Sequence, residues 1–333
     1  MKAILATAPG SIDVLQLRDI PQPELPTTHH LRVKLVAAGV NPVDTKLRTK
    51  PLYFPDKLPA ILGCDGAGIV EAVGGEVTRF KVGDAVFFCS GGIGDEPGTY
   101  AEYTTVHEQY CAKKPVNTGF QDSAALPLVF ITAWESLMER AHLQAKQTVL
   151  IHAGAGGVGH VAIQLARHLG ARVAVTVGDD KKAELTRSLG AEKIIHYKAQ
   201  DFVQETLEWT DGKGADVVFD TVGGETFLRS LAAARVYGTV VSLLSTPLSL
   251  ADTQLARMRN LTLAYDLMLV PQAMGLVAER IRQRKILEQG AALMNEGKLK
   301  ALISQTLPLE RAADAHRAIE AGGVVGKIVL TMD

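Results

Sequence analysis

The sequence has few cysteines, no long apolar run and no excess of charge of either sign. Its 333 residues include three cysteines, Cys64, Cys89 and Cys111, an odd number without C-x-x-C spacing. Disulfide-dependent domains have more cysteines in pairs, so this pattern favours a reducing compartment such as the cytoplasm. No apolar run approaches the roughly 18 residues that a membrane-spanning helix needs. The short apolar run at the start is broken by Pro9-Gly10, so no signal peptide is predicted there.

The charge balance excludes the most common partners of strongly basic proteins. The chain has 35 basic and 36 acidic residues, a net charge of -1, and no dense basic block. Nucleic acids and anionic membrane surfaces are generally bound by positive patches. With 47% hydrophobic residues the composition is that of an ordinary globular protein. We therefore expect a small or uncharged molecule as the ligand, and neither nucleic acid nor membrane.

The distribution of β-type runs divides the chain into segments with different predicted secondary structure. From residue 1 to about residue 120, short runs such as LRVKLVAAGV alternate with Gly, Pro and Asp, which predicts an antiparallel, barrel-like domain. Between 121 and 263, apolar β-branched runs alternate with amphipathic stretches, which predicts a doubly wound parallel sheet of the Rossmann type. The segment 264–333 is helical and ends in the strand-like GKIVLTM. We therefore predict an α/β protein in which the parallel-sheet domain is inserted into a domain made of 1–120 and 264–333.

A glycine-rich turn predicts a dinucleotide site. The motif Gly154-x-Gly156-x-x-Gly159 follows the β-type run TVLI. Such a motif alone is weakly specific, but apolar residues at helical spacing between 158 and 169 predict a helix that begins at the turn and buries one face. A helix N-terminus offers N–H groups and a positive dipole end, and glycines let a pyrophosphate approach the backbone. The predicted cofactor contacts are Gly154, Gly156, Gly157, Val158 and Gly159.

The residues after the next β-type run favour NADPH over NADH. NAD-specific sites place an acidic residue about 20 positions after the glycine turn, whereas here that count reaches Val177 and Gly178. A small residue leaves room for a 2'-phosphate and a lysine neutralises it, so we predict that Gly178 and Lys182 contact this phosphate. Alternatively, Lys181 and Lys182 only begin a solvated helix, with Asp179 as its N-cap or as a ribose ligand.

Several segments, taken in order, resemble the medium-chain dehydrogenase/reductase superfamily, and most closely its zinc-free quinone oxidoreductase branch. They cover nearly the whole chain: AGVNPVDTKLR, LPAILGCDGAGIVEAVGGEVTRFKVGDAVF, GTYAEY, AALPLVFITAWESL, HAGAGGVGHVAIQLAR, DVVFDTVGG and GKIVL. The resemblance implies a GroES-like β-barrel domain joined to the Rossmann domain. It also implies a homodimer formed through the α/β domain, near RNLTLAYDLM.

The same resemblance indicates that no metal is bound. Zinc-dependent alcohol dehydrogenases of this superfamily have a Cys where this chain has Asn41, and a His where it has Cys64. Their structural zinc lobe has four closely spaced cysteines, but the corresponding region here has Cys89 alone. Without a Lewis acid, the site suits an electron-poor acceptor, such as a quinone, better than an unactivated ketone.

The resemblance further implies catalytic residues. Asn41 would lie beside the nicotinamide and donate to the acceptor oxygen; alternatively it is a turn residue before Pro42. Tyr53 matches a tyrosine that lines the cleft, where it would donate a proton or stack on a ring, although it could equally cap the core. Asp44 either takes a direct part or forms an ion pair with Arg48 that shapes the loop.

Four more cofactor contacts follow from the resemblance. Thr132 matches a residue near the nicotinamide, with helix packing as the alternative, and Tyr197 matches a tyrosine near the adenosine phosphate. Ser242 and Ser245 lie in the loop that would pass under the nicotinamide. The chain departs from the branch at Lys46, where a Tyr is common, and in SLLSTPLSL, which is less rich in glycine. The second departure indicates a more apolar acceptor pocket.

Together these features predict NADPH-dependent reduction of quinones or similar electron-poor carbonyl acceptors by zinc-independent hydride transfer. One alternative keeps the cofactor and reduces the double bond of an enal, enone or enoyl thioester. Another is a non-catalytic NADPH-binding protein with a structural or regulatory role. Turnover with a panel of acceptors distinguishes the three.

Overall fold

A computed structural model describes residues 1–50, 56–93 and 96–332 of the chain. It divides into two compact units, Met1–Ile131 with Leu269–Asp333, and Thr132–Met268. The sequence pattern placed these divisions at 120/121 and 263/264. The first observed division falls inside an apolar helix, where no change of composition marks it. Among the described helices, none is long and apolar enough to cross a membrane.

The bounds of the regular elements are as follows. The strands are β1 (Lys2–Ala6), β2 (Leu15–Asp19), β3 (His30–Val40), β4 (Ala60–Ile61), β5 (Asp65–Val73), β6 (Ala85–Cys89), β7 (Tyr103–His107), β8 (Cys111–Lys113), β9 (Thr148–Ile151), β10 (Arg172–Val177), β11 (Lys193–His196), β12 (Ala215–Asp220), β13 (Ala234–Ser242), β14 (Thr262–Tyr265), β15 (Ile303–Pro308) and β16 (Lys327–Thr331). The helices are α1 (Pro42–Thr49), α2 (Phe120–Ala124), α3 (Pro127–Trp134), α4 (Gly157–Leu169), α5 (Asp180–Leu189), α6 (Phe202–Trp209), α7 (Glu225–Ala233), α8 (Leu250–Met258), α9 (Val270–Ala273), α10 (Val277–Asn295) and α11 (Ala312–Ala321). A π-helical segment, Glu135–Arg140, follows α3 directly.

The first unit is built around the long strand β3. Its main sheet has the order β15-β16-β3-β5-β6-β8, and β7 also pairs with β3; a smaller sheet has the order β2-β1-β4. Alternate residues of β3, including Leu31, Val33 and Leu35, are buried, as expected for a strand with one face toward a core. The segment GKIVLTM contains β16, which pairs antiparallel with β3.

The second unit contains a parallel sheet with the strand order β11-β10-β9-β12-β13-β14. All five neighbouring pairs are parallel. Leu150, Val218 and Val240, each from a different strand, are fully buried in its core. Parallel strands are typically covered by helices on both faces, which explains why the β-branched runs are apolar throughout. The predicted doubly wound sheet is therefore confirmed.

The topology of the first unit brings three polar positions to one end of its main sheet. Strand β3 is antiparallel to both β5 and β16, with Gly39 opposite Asp65 and Val40 opposite Ile328. The residue that follows β3, Asn41, therefore lies beside the first residues of β5 and β16. These are Asp65 and Lys327, which are distant from Asn41 in sequence.

Candidate active and cofactor sites

Asn41 forms the centre of a buried polar cluster in the first unit. It precedes Pro42 as the N-cap of α1, in an extended backbone conformation. Its Nδ2 donates to Asp65 Oδ2 at 2.9 Å, and Lys327 Nζ donates to its Oδ1. Because an ammonium group only donates and a carboxylate only accepts, these partners determine which way the amide points. Asn41 is 0% exposed. It therefore has two roles in the structure: it begins α1, and its buried side chain contacts two charged partners.

Asp65 is the buried anion of this cluster. Its Oδ1 accepts from the Leu128 N–H at 2.8 Å, and its Oδ2 lies 3.5 Å from Lys327 Nζ. Burial raises the pKa of the Asp65 carboxyl, and the positive charge of Lys327 opposes that rise. Neither partner was singled out from the sequence. The sequence signal that could have identified Lys327 is its position at the start of the apolar strand KIVLT. A residue at the start of a buried strand is expected to be buried with it.

Asp44 is a second buried carboxylate, in the first turn of α1. Its Oδ2 accepts from the Asn41 backbone N–H and from the Tyr100 hydroxyl, both at 2.8 Å. Burial raises the pKa of Asp44 to about 7, against the effect of these two hydrogen bonds. Asp44 therefore holds the backbone of Asn41 in place, while Asp65 and Lys327 hold its side chain.

Other predicted residues around this loop have different surroundings. The partners of Arg48 in the structure are Glu320, His316 and the Gly10 carbonyl oxygen. The expected ion pair with Asp44 is therefore absent among the described residues, and the cation pairs instead with a carboxylate on α11. Lys46 is exposed on α1. Tyr53 lies outside the described residues.

One group of side chains in the described chain has the composition of a metal site. The Sγ atoms of Cys64 and Cys89 and a carboxylate oxygen of Asp65 lie within 4.8 Å of one another. The hydrogen bond with Cys89, and then burial, raise the pKa of the Cys64 thiol well above its usual value. For Cys89, the hydrogen bond with Cys64 lowers the pKa, but burial and the Asp65 charge outweigh it. Metal binding requires thiolates and a free carboxylate, whereas here both Asp65 oxygens already accept hydrogen bonds, from Asn41 Nδ2 and the Leu128 N–H, and Lys327 Nζ lies 3.5 Å away. The donor set does not fit a zinc ion.

The predicted glycine turn has the geometry of a dinucleotide cradle. It connects β9 to α4, and Gly156 is the N-cap of that helix without a side-chain cap. A Cβ on Gly159 would lie 2.4 Å from the Ala153 carbonyl oxygen, and one on Gly154 would lie 2.8 Å from Val175 Cβ. The first and third glycines thus allow the turn to pack closely. The residues at the start of α4, Gly157, Val158 and Gly159, point their N–H groups out of the helix end, where a pyrophosphate fits.

A second group of residues surrounds Gly178, immediately after β10. A Cβ on Gly178 would lie 3.2 Å from the Tyr197 hydroxyl and 3.6 Å from Lys198 Cε. Asp179 caps α5 by accepting from the Lys182 N–H, and Lys182 Nζ lies 3.4 Å from its carboxylate. The hydrogen bond from Lys182 lowers the pKa of Asp179, and the Lys182 and Lys198 charges lower it further. The N-cap alternative is therefore confirmed for Asp179. Lys198, which was not singled out from the sequence, adds a second cation.

The remaining predicted cofactor contacts differ in accessibility. Thr132 is buried in α3. The Ser242 hydroxyl is buried; it donates to Asp220 at 2.7 Å and accepts from the Leu244 N–H. Ser245 is exposed in the loop that follows. Ser242 therefore shapes this loop from within, and Ser245 lies at its surface.

Comparison with known proteins places the chain in a family. Residues 27–116 match the family model of the alcohol dehydrogenase GroES-like domain, and residues 189–330 match the model named zinc-binding dehydrogenase. The chain is 35% identical to a quinone oxidoreductase of Pseudomonas aeruginosa over 99% of both proteins. The crystal structure of Escherichia coli quinone oxidoreductase complexed with NADPH matches it with a TM-score of 0.87 and 29% identity, covering 100% of both chains. A crystal structure of an NAD-dependent alcohol dehydrogenase matches with a TM-score of 0.89 and 32% identity, again over the full length of both.

The fold and these similarities define a two-domain oxidoreductase with a GroES-like domain and a Rossmann domain. The chain belongs to the medium-chain dehydrogenase/reductase superfamily, in its quinone oxidoreductase-like branch. The predicted family and fold class are both confirmed.

Proposed function

We propose that the protein reduces quinones, or similar electron-poor carbonyl acceptors, with NADPH and without a metal ion. The chain is an NADPH-dependent oxidoreductase, as its similarity to quinone oxidoreductases over the full length and to an NADPH complex supports. The choice of acceptor depends on one observation, the cluster of Asn41, Asp65 and Lys327. This cluster has hydrogen-bond donors and one buried cation but no ligand set for a Lewis acid, so it suits an acceptor that is already electron-poor.

The residues of the second unit would bind the cofactor. The N–H groups of Gly157, Val158 and Gly159 suit the pyrophosphate, and Lys182 and Lys198 suit a 2'-phosphate beside Gly178. Lys182 also neutralises Asp179, which would otherwise repel that phosphate. When bound, NADPH supplies a hydride, and the protein contributes binding, orientation and electrostatics.

In the first unit, Asn41 would stabilise the charge that develops on the acceptor oxygen. One Nδ2 hydrogen is used by Asp65, and in this proposal the other would donate to the acceptor. Lys327 donates to the carbonyl end of the same amide. This polarises the amide and makes its N–H a stronger donor. We propose that Asp44 acts through the Asn41 backbone, and that Thr132, Tyr197, Ser242 and Ser245 line the cofactor as the resemblance implies.

A turnover assay tests the proposal. The protein is incubated with NADPH and, separately, with quinones, with enals and enones, and with enoyl thioesters, while the loss of reduced-nicotinamide absorbance is followed. Quinones should be consumed fastest. Faster consumption of enals, enones or enoyl thioesters would establish the double-bond alternative. Tight NADPH binding without turnover of any acceptor would establish the non-catalytic alternative.

We also propose a homodimer that uses the edge of the parallel sheet. Strand β14 is the last in the strand order, and edge strands can pair with another chain. Tyr265 at its end and Leu267 just beyond are about half exposed. Light scattering should give twice the chain mass of 35.6 kDa. Leu267→Arg should reduce that mass to one chain, whereas Val116→Arg, at an exposed position elsewhere, should not.

We also propose that the protein is cytoplasmic. Cys64, Cys89 and Cys111 are all free thiols. Free thiols are typical of proteins in a reducing compartment, which supports a cytoplasmic location.

A further inference from the structure

A continuous buried hydrogen-bond chain runs from α11 to the start of α1. Arg48 Nη1 lies 3.2 Å from His316 Nδ1, and His316 Nε2 lies 3.3 Å from the Tyr100 hydroxyl. Tyr100 in turn donates to Asp44 at 2.8 Å. At the outer end, Arg48 pairs with Glu320, which is partly exposed. Tyr100 and His316 are both 0% exposed, so solvent does not compete for these hydrogen bonds.

The chemistry of Arg48 determines the direction of every hydrogen bond in this chain. A guanidinium group has donors and no acceptor, so His316 Nδ1 must accept. The neutral imidazole then carries its proton on Nε2 and donates it to the Tyr100 oxygen. The Tyr100 hydrogen is left for Asp44. Burial, and then the Arg48 charge, lower the pKa of His316 to about 3, which is consistent with a neutral ring.

We propose that Tyr100 and His316 are positioning residues, which hold Asp44 as the ionised acceptor of the Asn41 N–H and so fix Asn41 at the start of α1. The expected effect of these two residues on turnover rests on the proposed function of Asn41. The hydrogen-bond chain itself is independent of that function. Protonation of Asp44 on Oδ2 would oppose this arrangement, because Tyr100 and the Asn41 N–H already donate to that oxygen. To reverse the chain, His316 Nδ1 would have to donate toward Arg48, which cannot accept.

The groups that face Asp44 make its ionisation sensitive to pH in the neutral range. Tyr100 and the Asn41 N–H favour the ionised form, as does the Lys327 charge, whereas Asp65 and burial oppose it. The pKa of Asp44, about 7, results from this balance. Loss of one hydrogen bond to the carboxylate should raise the pKa by about one to two units.

The Asn41 N–H gives a direct spectroscopic test that needs no substrate. The sequence contains four asparagines, Asn41, Asn117, Asn260 and Asn295, so labelling with ¹⁵N-asparagine yields four backbone amide signals. Asn41→Gln identifies the Asn41 signal by its loss. In the wild type that signal should titrate with a midpoint near pH 7, the pKa of its acceptor. The other three signals report whether each variant is folded.

Three variants separate the contributions to this titration. Tyr100→Phe should move the midpoint upward by about one to two pH units. His316→Leu should move it upward by less, because Tyr100 keeps its hydroxyl but loses the donor that polarises it. His316→Gln should leave the midpoint unchanged, because the Gln oxygen can accept from Arg48 and its amide can donate to Tyr100. Tyr110→Phe, a matched control outside the chain, should also leave it unchanged.

Turnover is measured on the same variants. At pH 6, a midpoint raised by one unit lowers the ionised fraction of Asp44 about tenfold, so kcat of Tyr100→Phe should fall about tenfold and recover at higher pH. The KM for NADPH should stay constant.

An unchanged midpoint in His316→Leu would overturn the role of His316. A His316→Gln variant as impaired as His316→Leu would also overturn it, in favour of proton transfer through the ring. Shifted midpoints with unchanged kcat would overturn the positioning role, whereas shifted midpoints in a protein that reduces no acceptor would support the chain and contradict the proposed function.

Discussion

Substitution of Lys327 by methionine should destabilise the protein more than any change of a surface lysine. Lys327 and Asp65 are almost completely buried, with 3% and 0% of their side chains exposed and 3.5 Å between Nζ and Oδ2. Lys327→Met leaves the Asp65 carboxylate with its N–H donors but without its counter-charge. Removal of one partner from a buried ion pair typically costs about 3–5 kcal/mol. We expect a loss in that range in the free energy of unfolding at pH 8.

The destabilisation should depend on pH in a defined direction. Burial already raises the folded-state pKa of Asp65, and loss of the Lys327 charge raises it further. A carboxyl whose pKa is raised by folding takes up a proton more readily in the folded state than in the unfolded state. The cost of Lys327→Met should therefore be largest above the raised pKa and should shrink as pH falls through it, because protonation removes the unpaired charge.

Urea unfolding of the cofactor-free variants at pH 8 and pH 5 measures these quantities. Lys285→Met, at an exposed position of α10, is the matched control and should change stability by no more than about 0.5 kcal/mol. The double variant Lys327→Met with Asp65→Asn should lose less than the sum of the single variants, because the second change removes the uncompensated charge. A cost below about 1 kcal/mol at pH 8, or strict additivity, would refute the electrostatic coupling of this pair.

Three further results are expected. Lys182→Ala should weaken NADPH binding by about 1–2 kcal/mol and leave NADH binding nearly unchanged, because the lysine neutralises Asp179 beside the 2'-phosphate site; equal losses in a calorimetric titration would show that it does not meet the phosphate. Asn41→Ala should lower kcat and spare NADPH affinity, whereas unchanged turnover would mean that its buried side chain only completes the packing around Asp65. Treatment with a chelator should leave activity unchanged, because the Asp65 carboxylate beside Cys64 and Cys89 is already paired with Lys327; activity that is lost and then restored by zinc would contradict the metal-free proposal.

Local pattern determined most of the fold and the cofactor turn. The β-branched runs and the glycine motif followed by helical spacing required only neighbouring residues, and the structure has β9, the turn and α4 where they predicted them. The Asp179 cap was also visible, since a helix start is a local feature. The motifs in order were sufficient to indicate the family, which the comparisons confirm.

Tertiary structure decided which side chains meet. Asn41, Asp65 and Lys327 are brought together only because β3 runs antiparallel to β5 and β16, and no local pattern carries that register. Likewise, an ion pair with the nearby Asp44 was one of the two alternatives for Arg48, but the fold supplies His316 and Glu320 from α11. Burial, which gives Asp44 its raised pKa, is a property of the packed interior. The sequence by itself therefore specified the elements and the cofactor turn, while the pairing of distant strands and helices determined the charges around Asn41.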